Sequence, residues 1–336
     1  MHKLFLIISL FFAFQVANAQ QQYHIAFYNV ENLFDLKDDP MTLDDEFTPE
    51  GSKKWTRDRY SKKLEHLSRV LSGIGNIQFM GLSEVENKKV VEDLIKLPPF
   101  IGQEFKVVHY DSPDKRGIDV AFVYNSGLFK VINTDTIKVE FPDDIEKDYT
   151  TRLILHVEGQ LNNGAVLHFF INHWPSRRGG AEKSQPKRLW VAAHLKRAVS
   201  EILDKDMNAN IIIMGDFNDE PNNLSISSVL GALPAHQVPA IPGLLYDLFD
   251  EYDQQEKGSY RYKANWNMLD QIVVSGSLLD TRKSSVTIEQ PRIFQKSWMM
   301  YKNSKHGETP SRTYGGNRYF GGYSDHLPVF ATMRTK

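Results

Sequence analysis

The chain has 336 residues and a nearly balanced charge, with 40 Lys and Arg against 42 Asp and Glu, and it contains no cysteine. The lack of cysteine excludes disulfides, thiolate zinc sites and a cysteine nucleophile. A protein that coats long duplex nucleic acid is usually more basic than this, although local basic patches are compatible with the net charge.

The first 19 residues have the features of a secretory signal peptide. Lys3 supplies a positive start, LFLIISLFFAF supplies an apolar stretch, and Ala17-Asn18-Ala19 forms a small-residue cleavage site. The apolar stretch is shorter than a typical membrane-spanning helix. The alternative interpretation is a membrane anchor that is not cleaved. We therefore expect a mature chain of residues 20–336 that is exported to the periplasm or the extracellular space and does not insert into a membrane.

Eight apolar segments, spread over the whole length, predict β-strands. Several of them are apolar on both faces, which is typical of central strands that are covered on both sides. In chain order the segments are HIAFYNV, FMGLSEV, DVAFVYN, RLILHVEG, AVLHFFINH, NIIIMGD, LDQIVVS and LPVFATM.

Two amphipathic patterns between these strands predict helices, RDRYSKKLEHLSRVLSGI at 57–74 and PKRLWVAAHLKRAVSEIL at 186–203. Gly73 and Gly75 are typical of a helix end. The polar segments 36–55 and 302–323 predict long surface loops, which are often functional in a compact domain. Strands interspersed with few helices predict one layered α/β or α+β domain over residues 20–336.

Polar side chains stand where the predicted strands begin or end: Asn29, Glu84, Asp119, His173, Asp216, Asn218, Asp270, Asp325 and His326. In MGDFND, Asp216 and Asn218 lie two positions apart, so they would face the same side of a strand; a polar turn is the alternative. Buried carboxylates are disfavoured unless they are paired or bind a metal, so their joint occurrence indicates a cation site. Without cysteine, the ligand set suits Mg²⁺, Mn²⁺ or Ca²⁺.

Five motifs in this order, YNVENLF, GLSEVEN, NHWPSR, GDFND and SDHLP, resemble the endonuclease/exonuclease/phosphatase family. This family includes pancreatic-type deoxyribonucleases, apurinic endonucleases, neutral sphingomyelinases and inositol polyphosphate 5-phosphatases. The resemblance spans Asn29 to His326 and is to an exported member of bacterial type. It implies a four-layered αββα sandwich, with two packed mixed sheets flanked by helices, and metal-dependent hydrolysis of a phosphate ester by an activated water.

The resemblance also implies catalytic roles. Asp216 would orient or activate the attacking water, and Asn218 would hold a phosphate oxygen. His326 would pair with Asp270, which fixes the tautomer of the imidazole and raises its pKa. His173 would contact the phosphate.

The remaining candidates would bind the metal or the substrate. By resemblance, Glu84 is the main metal ligand, helped by Asn29 and Asp325. Asp119 is a candidate for substrate binding, with a structural capping role as the alternative. Arg177 and Arg178 follow the NHW motif and are candidate phosphate-binding residues, with solvated loop positions as the alternative.

The leading functional hypothesis is an exported, metal-dependent nuclease or phosphodiesterase acting on DNA or RNA. His173 stands where apurinic endonucleases carry a tyrosine-bearing motif, and export also argues against a repair role. The alternatives are a phosphatase or phosphodiesterase for a small phosphorylated metabolite, inositol phosphate or lipid head group, and a binding module that has lost its activity. We expect a monomer without a stable protein partner.

Overall fold

A computed structural model describes residues 21–282, 284–304 and 307–336. The predicted signal peptide, residues 1–19, lies outside these ranges. No helix in the described part of the chain is long and apolar enough to span a membrane.

The helices of the described chain are α1 (Arg57–Ile74), α2 (Lys88–Leu94), α3 (Asp143–Glu146), α4 (Ala181–Leu203) and α5 (Asp250–Gln254). Short 3₁₀ turns lie at Asp45–Phe47, Gly276–Leu279 and Ser297–Met299, and a π-helical turn lies at Ser225–Leu230.

Both predicted helices form, but two details of their ends differ from the prediction. Gly75 ends α1 with a left-handed φ of 68°, and its N–H donates to Leu71 O, whereas Gly73 lies inside the helix. Helix α4 begins at Ala181, five residues before the predicted Pro186. Proline is typical of a helix start, but Pro186 lies inside α4, and in the turn before it Ser184 Oγ donates to Gly180 O at 2.8 Å.

The strands are β1 (Gln21–Leu33), β2 (Ile77–Val85), β3 (Phe105–His109), β4 (Asp119–Asn125), β5 (Phe129–Ile137), β6 (Ile154–Leu161), β7 (Val166–His173), β8 (Asn210–Asp216), β9 (Ala232–Pro234), β10 (Leu245–Asp247), β11 (Tyr260–Tyr262), β12 (Asn265–Asn267), β13 (Asp270–Ser275), β14 (Val286–Ile293), β15 (Met300–Asn303), β16 (Gly307–Pro310), β17 (Tyr314–Gly315), β18 (Arg318–Tyr319) and β19 (Val329–Thr335).

Two large mixed sheets organise these strands. The first has the order β14-β19-β1-β2-β4-β3, with β1 and β2 parallel. The second has the order β5-β6-β7-β8-β13-β10-β9, with β7 parallel to β8 and β9 parallel to β10. All eight predicted strands are present, as β1, β2, β4, β6, β7, β8, β13 and β19. In the two large sheets the prediction missed five strands. Three of them, β3, β5 and β14, are sheet edges whose exposed faces carry polar residues, and the other two, β9 and β10, have only three residues each.

Three apolar layers hold the four structural layers together. Between the sheets, Phe79 of one sheet stacks on Phe169 of the other, with ring centroids 5.2 Å apart. On the outer face of the first sheet, Leu67 of α1 packs in a second cluster. On the outer face of the second sheet, Leu195 of α4 packs with Phe170. The predicted αββα sandwich is therefore confirmed.

The two predicted loops differ in content. Segment 36–55 has only the 3₁₀ turn Asp45–Phe47 among its described residues. Segment 302–323 is not a plain loop, because β15 pairs with β16 and β17 pairs with β18 in two small antiparallel hairpins. Such two- to four-residue strands are too short to show an alternating pattern in the sequence.

Candidate active site

Sheet register brings the predicted catalytic residues to one place. The parallel pairing of β7 and β8 sets His173 opposite Asp216, and the antiparallel pairing of β8 and β13 sets Asp270 opposite Asp216. Strand β8 can approach β7 closely because residue 215 is glycine; a Cβ there would lie 2.6 Å from the Cβ of Asn172. Three of the predicted side chains are thus adjacent as a consequence of strand pairing.

Asp216 is the buried centre of this group. Its Oδ2 accepts a hydrogen bond from Asn29 Nδ2 at 3.0 Å, and lies 3.6 Å from Nε2 of His173 and 3.8 Å from Nε2 of His326. Burial raises the pKa of Asp216 to about 7, against the opposing effect of the charge on His326. The carboxyl group can therefore gain or lose a proton near neutral pH.

Asn218 reaches the site through a turn and not through strand alternation. Strand β8 ends at Asp216, and Asn218 has a left-handed φ of 50°. Its N–H donates to Asp216 Oδ1 at 2.9 Å, and its Nδ2 donates to Trp174 O at 3.0 Å. The polar-turn alternative describes this geometry, and the turn still holds the amide beside the carboxylate.

His326 forms a buried pair with Asp270. Nδ1 of His326 donates to Oδ2 of Asp270 at 2.6 Å, which leaves Nε2 directed toward Asp216. Burial alone would lower the pKa of His326, but the carboxylates of Asp270 and Asp216 raise it well above the ordinary histidine value. These carboxylates therefore favour the protonated imidazole. The ring of Tyr260, which the sequence did not single out, packs on His326 with centroids 4.7 Å apart.

His173 has the opposite electrostatic character. It is buried, and its Nδ1 has no hydrogen-bond partner among the described residues. Burial, together with the nearby charges of Arg152, Arg116 and His326, lowers the pKa of His173 well below the ordinary value. The site therefore pairs one neutral and one charged imidazole across Asp216.

Glu84 is turned toward the site by an irregularity in β2. The register between β2 and β4 shifts at this residue, and Glu84 adopts a left-handed φ of 60°. Its Oε2 accepts from Asn32 N at 3.0 Å, and its Oε1 lies 3.4 Å from Asn29 Nδ2 and 4.0 Å from His173 Nε2. Bulges of this kind often redirect a side chain at an active site.

Glu31 and Lys63 are two buried charged residues that sequence reasoning missed. Glu31 Oε2 accepts from Thr313 N at 2.6 Å, and burial raises the pKa of Glu31 to about 7. Lys63 Nζ donates to Thr313 Oγ1 and Tyr323 O, both at 2.7 Å, and burial lowers the pKa of Lys63 to about 8. Two signals could have indicated them: a lysine on the apolar stripe of a helix, and the acid two residues after Asn29 in the YNVENLF motif.

The oxygen donors around Glu84 fit a hard divalent cation. Asp325 lies in the same electrostatic surroundings, because the charges of Glu31, Asp325 and Glu84 all act to raise the pKa of Lys63, against the larger effect of its burial. Carboxylate and amide oxygens are the ligands of Mg²⁺ and Ca²⁺. The amide of Asn29 presents its nitrogen to Glu84 and Asp216, while Oδ1 accepts from Glu31 N, so metal ligation through Oδ1 would require the amide to turn. Asp216, Asp270 and His326 also offer donor atoms within 4.8 Å of one another.

The three predicted substrate-binding residues have different surroundings. Asp119 is buried, accepts from Ser112 N at 2.9 Å and lies 3.1 Å from His109 Nε2. Arg177 donates through Nε to Asn218 O at 2.7 Å, which braces the turn that carries this amide, and its Nη2 pairs with carboxylates of the same loop. Arg178 is exposed. Among the described contacts, none joins Asp119 or Arg178 to Asp216.

Two basic clefts adjoin the site. The first, which we call the lysine cleft, has a volume of about 630 Å³ and includes Arg152, whose Nε donates to His173 O. Its cationic lining residues are Lys115, Arg116, Lys147, Arg152, Arg178, Lys183 and Lys187, against the acids Asp114, Glu146 and Asp148.

The second, the arginine cleft, has a volume of about 580 Å³ and opens beside Asp325. Its cationic lining residues are Arg261, Lys263, Arg312 and Arg318, against Asp325 as the acid. Arg312 Nη2 lies 3.4 Å from Asp325 Oδ2. Arg312 and Tyr260 have no nearby sequence signal, because they meet the site only through the folded loops.

Two packed sheets with carboxylates and imidazoles meeting at their strand ends define the class of αββα phosphoesterase folds. A family model described as "Endonuclease/Exonuclease/phosphatase family" matches residues 24–335, and the chain belongs to this family. Members of the family are generally phosphoester hydrolases. A search of curated protein sequences gave no match.

Among the solved structures with the same fold are three whose alignments cover nearly the whole of this chain. An endonuclease/exonuclease/phosphatase family protein from Bacteroides thetaiotaomicron is 14% identical, with a TM-score of 0.56 over 94% of this chain and 99% of that chain. A mannosyl-6-phosphatase from the same organism is 15% identical, with a TM-score of 0.55 over 93% and 99%. D. rerio TDP2, complexed with single strand DNA product, is 15% identical, with a TM-score of 0.55 over 94% and 99%. At these identities the likeness shows the fold.

Proposed function

We propose that the protein is an exported phosphodiesterase that uses a divalent metal ion, most simply Mg²⁺, to hydrolyse nucleic acid. The observation that carries this proposal is the pair of basic clefts, one beside His173 and one beside Asp325. A chain of phosphates needs cations on more than the scissile group, whereas a small phosphomonoester fits a single closed pocket. The solved complex of D. rerio TDP2 with single strand DNA supports the ability of this fold to hold a nucleic acid strand.

In this proposal Asp216 is the base and His326 is the electrostatic partner of the phosphate. His326 is protonated and cannot accept a proton, whereas the pKa of Asp216, raised to about 7 by burial, suits a general base. The oxygen of water forms the new bond to phosphorus, Asp216 takes the proton, and the ester bond breaks. The leaving oxygen takes a proton from solvent. The imidazolium of His326 and the amide of Asn218 stabilise the negative charge on the non-bridging oxygens.

The metal site belongs to the same proposal. Glu84, Asp325 and, after rotation of its amide, Asn29 would hold the ion. A bound divalent cation supplies charge neutralisation at a phosphate oxygen. Glu31 and Lys63 lie behind this set and hold the loop that carries Asp325.

The test is the nicking of supercoiled plasmid by the purified chain from residue 20 onward, in Mg²⁺, with the His326→Ala variant beside it. Nicking that disappears in the variant and in chelator supports the proposal. Nicking of plasmid to the same extent by both proteins would contradict it. If sugar phosphates or inositol phosphates are hydrolysed and neither plasmid nor a single-stranded oligonucleotide is cleaved, the substrate is a small phosphoester. Export is tested separately by fractionation of cells that express the full chain, with Gln20 expected at the N-terminus of the exported protein.

A further inference from the structure

We infer that the arginine cleft is a subsite for one unpaired nucleotide next to the scissile phosphate, which would make single-stranded nucleic acid the substrate class. This inference rests on the proposed function. It starts from the position of the cleft, whose lining includes Asp325, the residue directly before His326 in the chain. A group bound in the cleft would be covalently adjacent to the scissile phosphate at Asp216 and His326.

The cleft is joined to the centre by two side chains. Arg312 Nη2 lies 3.4 Å from Asp325 Oδ2. The Tyr260 ring packs on His326, and the charges of Asp325 and Arg312 both act on its hydroxyl. Tyr260 and Asp325 therefore lie between the imidazole of His326 and the arginine cleft.

The cations of the cleft are not all neutralised by protein carboxylates. Arg312 is paired with Asp325, and Arg261 is fixed by backbone carbonyls, those of Ala264 and Glu308. Within the described ranges, no carboxylate forms an ion pair with Lys263 or Arg318. These two cations are free to bind a phosphate of the substrate, and arginine suits phosphate because its donors form a fork.

Exposed aromatic rings stand beside these cations. Phe320 is 53% exposed and Tyr301 is 60% exposed, and both rings line the cleft. Arg318 lies over Phe320, with its Cζ 5.3 Å from the ring centroid. A planar base can stack on such rings, and a base is free to do so only when it is unpaired. Cations without a carboxylate partner, next to exposed aromatic rings, match a nucleotide better than they match a sugar phosphate, because a sugar phosphate has no planar aromatic base to stack.

The test is fluorescence anisotropy with a labelled single-stranded oligonucleotide and a duplex of the same sequence, in chelator, so that no cleavage occurs. We expect Phe320→Ala and Arg318→Ala each to weaken binding of the single strand by roughly tenfold. Arg318→Ala should also reduce the slope of log Kd against log salt by about 0.7, the value for one lost phosphate contact on a single strand. Phe320→Ala should leave that slope unchanged. Arg197→Ala, an exposed arginine of α4 outside both clefts, is the matched control and should bind like the wild type.

Wild-type affinity in both cleft variants, or duplex bound as tightly as the single strand, would overturn the inference. The hydrolysis of bis(4-nitrophenyl) phosphate by the wild type in Mg²⁺ separates this result from the proposed function, because that diester has no second phosphate. If the wild type hydrolyses the diester and the cleft variants bind normally, the inference fails alone. If the diester, plasmid and oligonucleotide all stay intact while the cleft variants lose affinity, the proposed function fails and the subsite stands.

Discussion

Nδ1 of His326 donates a hydrogen bond to Oδ2 of Asp270 at 2.6 Å, and both side chains are buried. The two residues are 56 positions apart: Asp270 begins β13 of the second sheet, and His326 lies in the segment before β19 of the first sheet. The bond therefore spans the sandwich at the end where both sheets stop. It holds the imidazole with Nε2 toward Asp216 and keeps it charged.

The Asp270→Asn variant is expected to lower kcat by about 10²- to 10⁴-fold, because an amide neither stabilises the imidazolium nor holds its orientation. The pKa of His326 should fall toward its ordinary value, so the residual activity should decline at a lower pH than in the wild type. A pH–rate profile measures this change. Asp144→Asn, an exposed acid of α3, is the control. An alkaline limb at the wild-type position would contradict the assigned role.

The Glu84→Gln variant is expected to weaken Mg²⁺ binding by roughly tenfold or more, because a neutral amide replaces a charged oxygen ligand. Thermal unfolding with increasing Mg²⁺ measures the effect without any substrate, since an ion that binds the folded state raises Tm. Glu92→Gln on α2, which makes only an exposed ion pair, should respond to Mg²⁺ like the wild type. A Glu84→Gln response identical to that of the control would remove Glu84 from the metal site.

The Lys63→Met variant is expected to lose about 1–3 kcal/mol of unfolding free energy, because Thr313 Oγ1 and Tyr323 O would lose their buried hydrogen bonds from Lys63. The buried carboxyl of Glu31 would also lose a nearby positive charge that favours its ionised form. The neighbouring Lys62 is exposed, so Lys62→Met should change stability little. Urea unfolding followed by fluorescence compares the two variants. Adding Glu31→Gln to Lys63→Met should recover part of the loss. A double variant no more stable than Lys63→Met would show that the two charges do not compensate each other.

Asp247 offers a test of pH-dependent stability away from the site. Its Oδ1 accepts from Phe249 N at 2.8 Å, its Oδ2 has no partner among the described residues, and burial raises its pKa to about 8. The folded state thus keeps a proton that the unfolded chain releases above the ordinary aspartate pKa of 3.8. This group therefore lowers stability as pH rises from about 4 to 8, with a slope of at most about 1.4 kcal/mol per pH unit.

Asp247→Asn should remove that contribution, so the variant should gain stability relative to the wild type as pH rises from 5 to 8. Tm measured across this range gives the comparison. Asp204→Asn, at the exposed end of α4, should follow the wild-type curve. A constant difference between Asp247→Asn and the wild type at all pH values would show that Asp247 does not titrate in this way.

Part of the site could be predicted because its residues stand in short local patterns. Asp216 follows four apolar residues and a glycine, and His173 ends a similar strand, so a buried strand that stops at a polar group was visible in each case. Glu31 lay inside a quoted motif, but nothing local distinguishes a buried acid from a solvated one. Lys63 and Arg312 are linked to the site only by contacts with distant segments, Lys63 to Thr313 and Arg312 to Asp325 through a hairpin-bearing loop.

By itself, the sequence determined the eight central strands and the identity of most polar groups at their ends, because hydrophobic periodicity is a local property. Only the tertiary structure decided which of these groups face one another. Strand register placed Asp216 between His173 and Asp270, and a bulge turned Glu84 toward them. The charge of each group also depends on its surroundings, since burial and neighbouring carboxylates make His326 cationic while burial and neighbouring cations keep His173 neutral. These electrostatic effects arise from contacts between residues that are distant in the chain, so no short segment of the sequence reveals them.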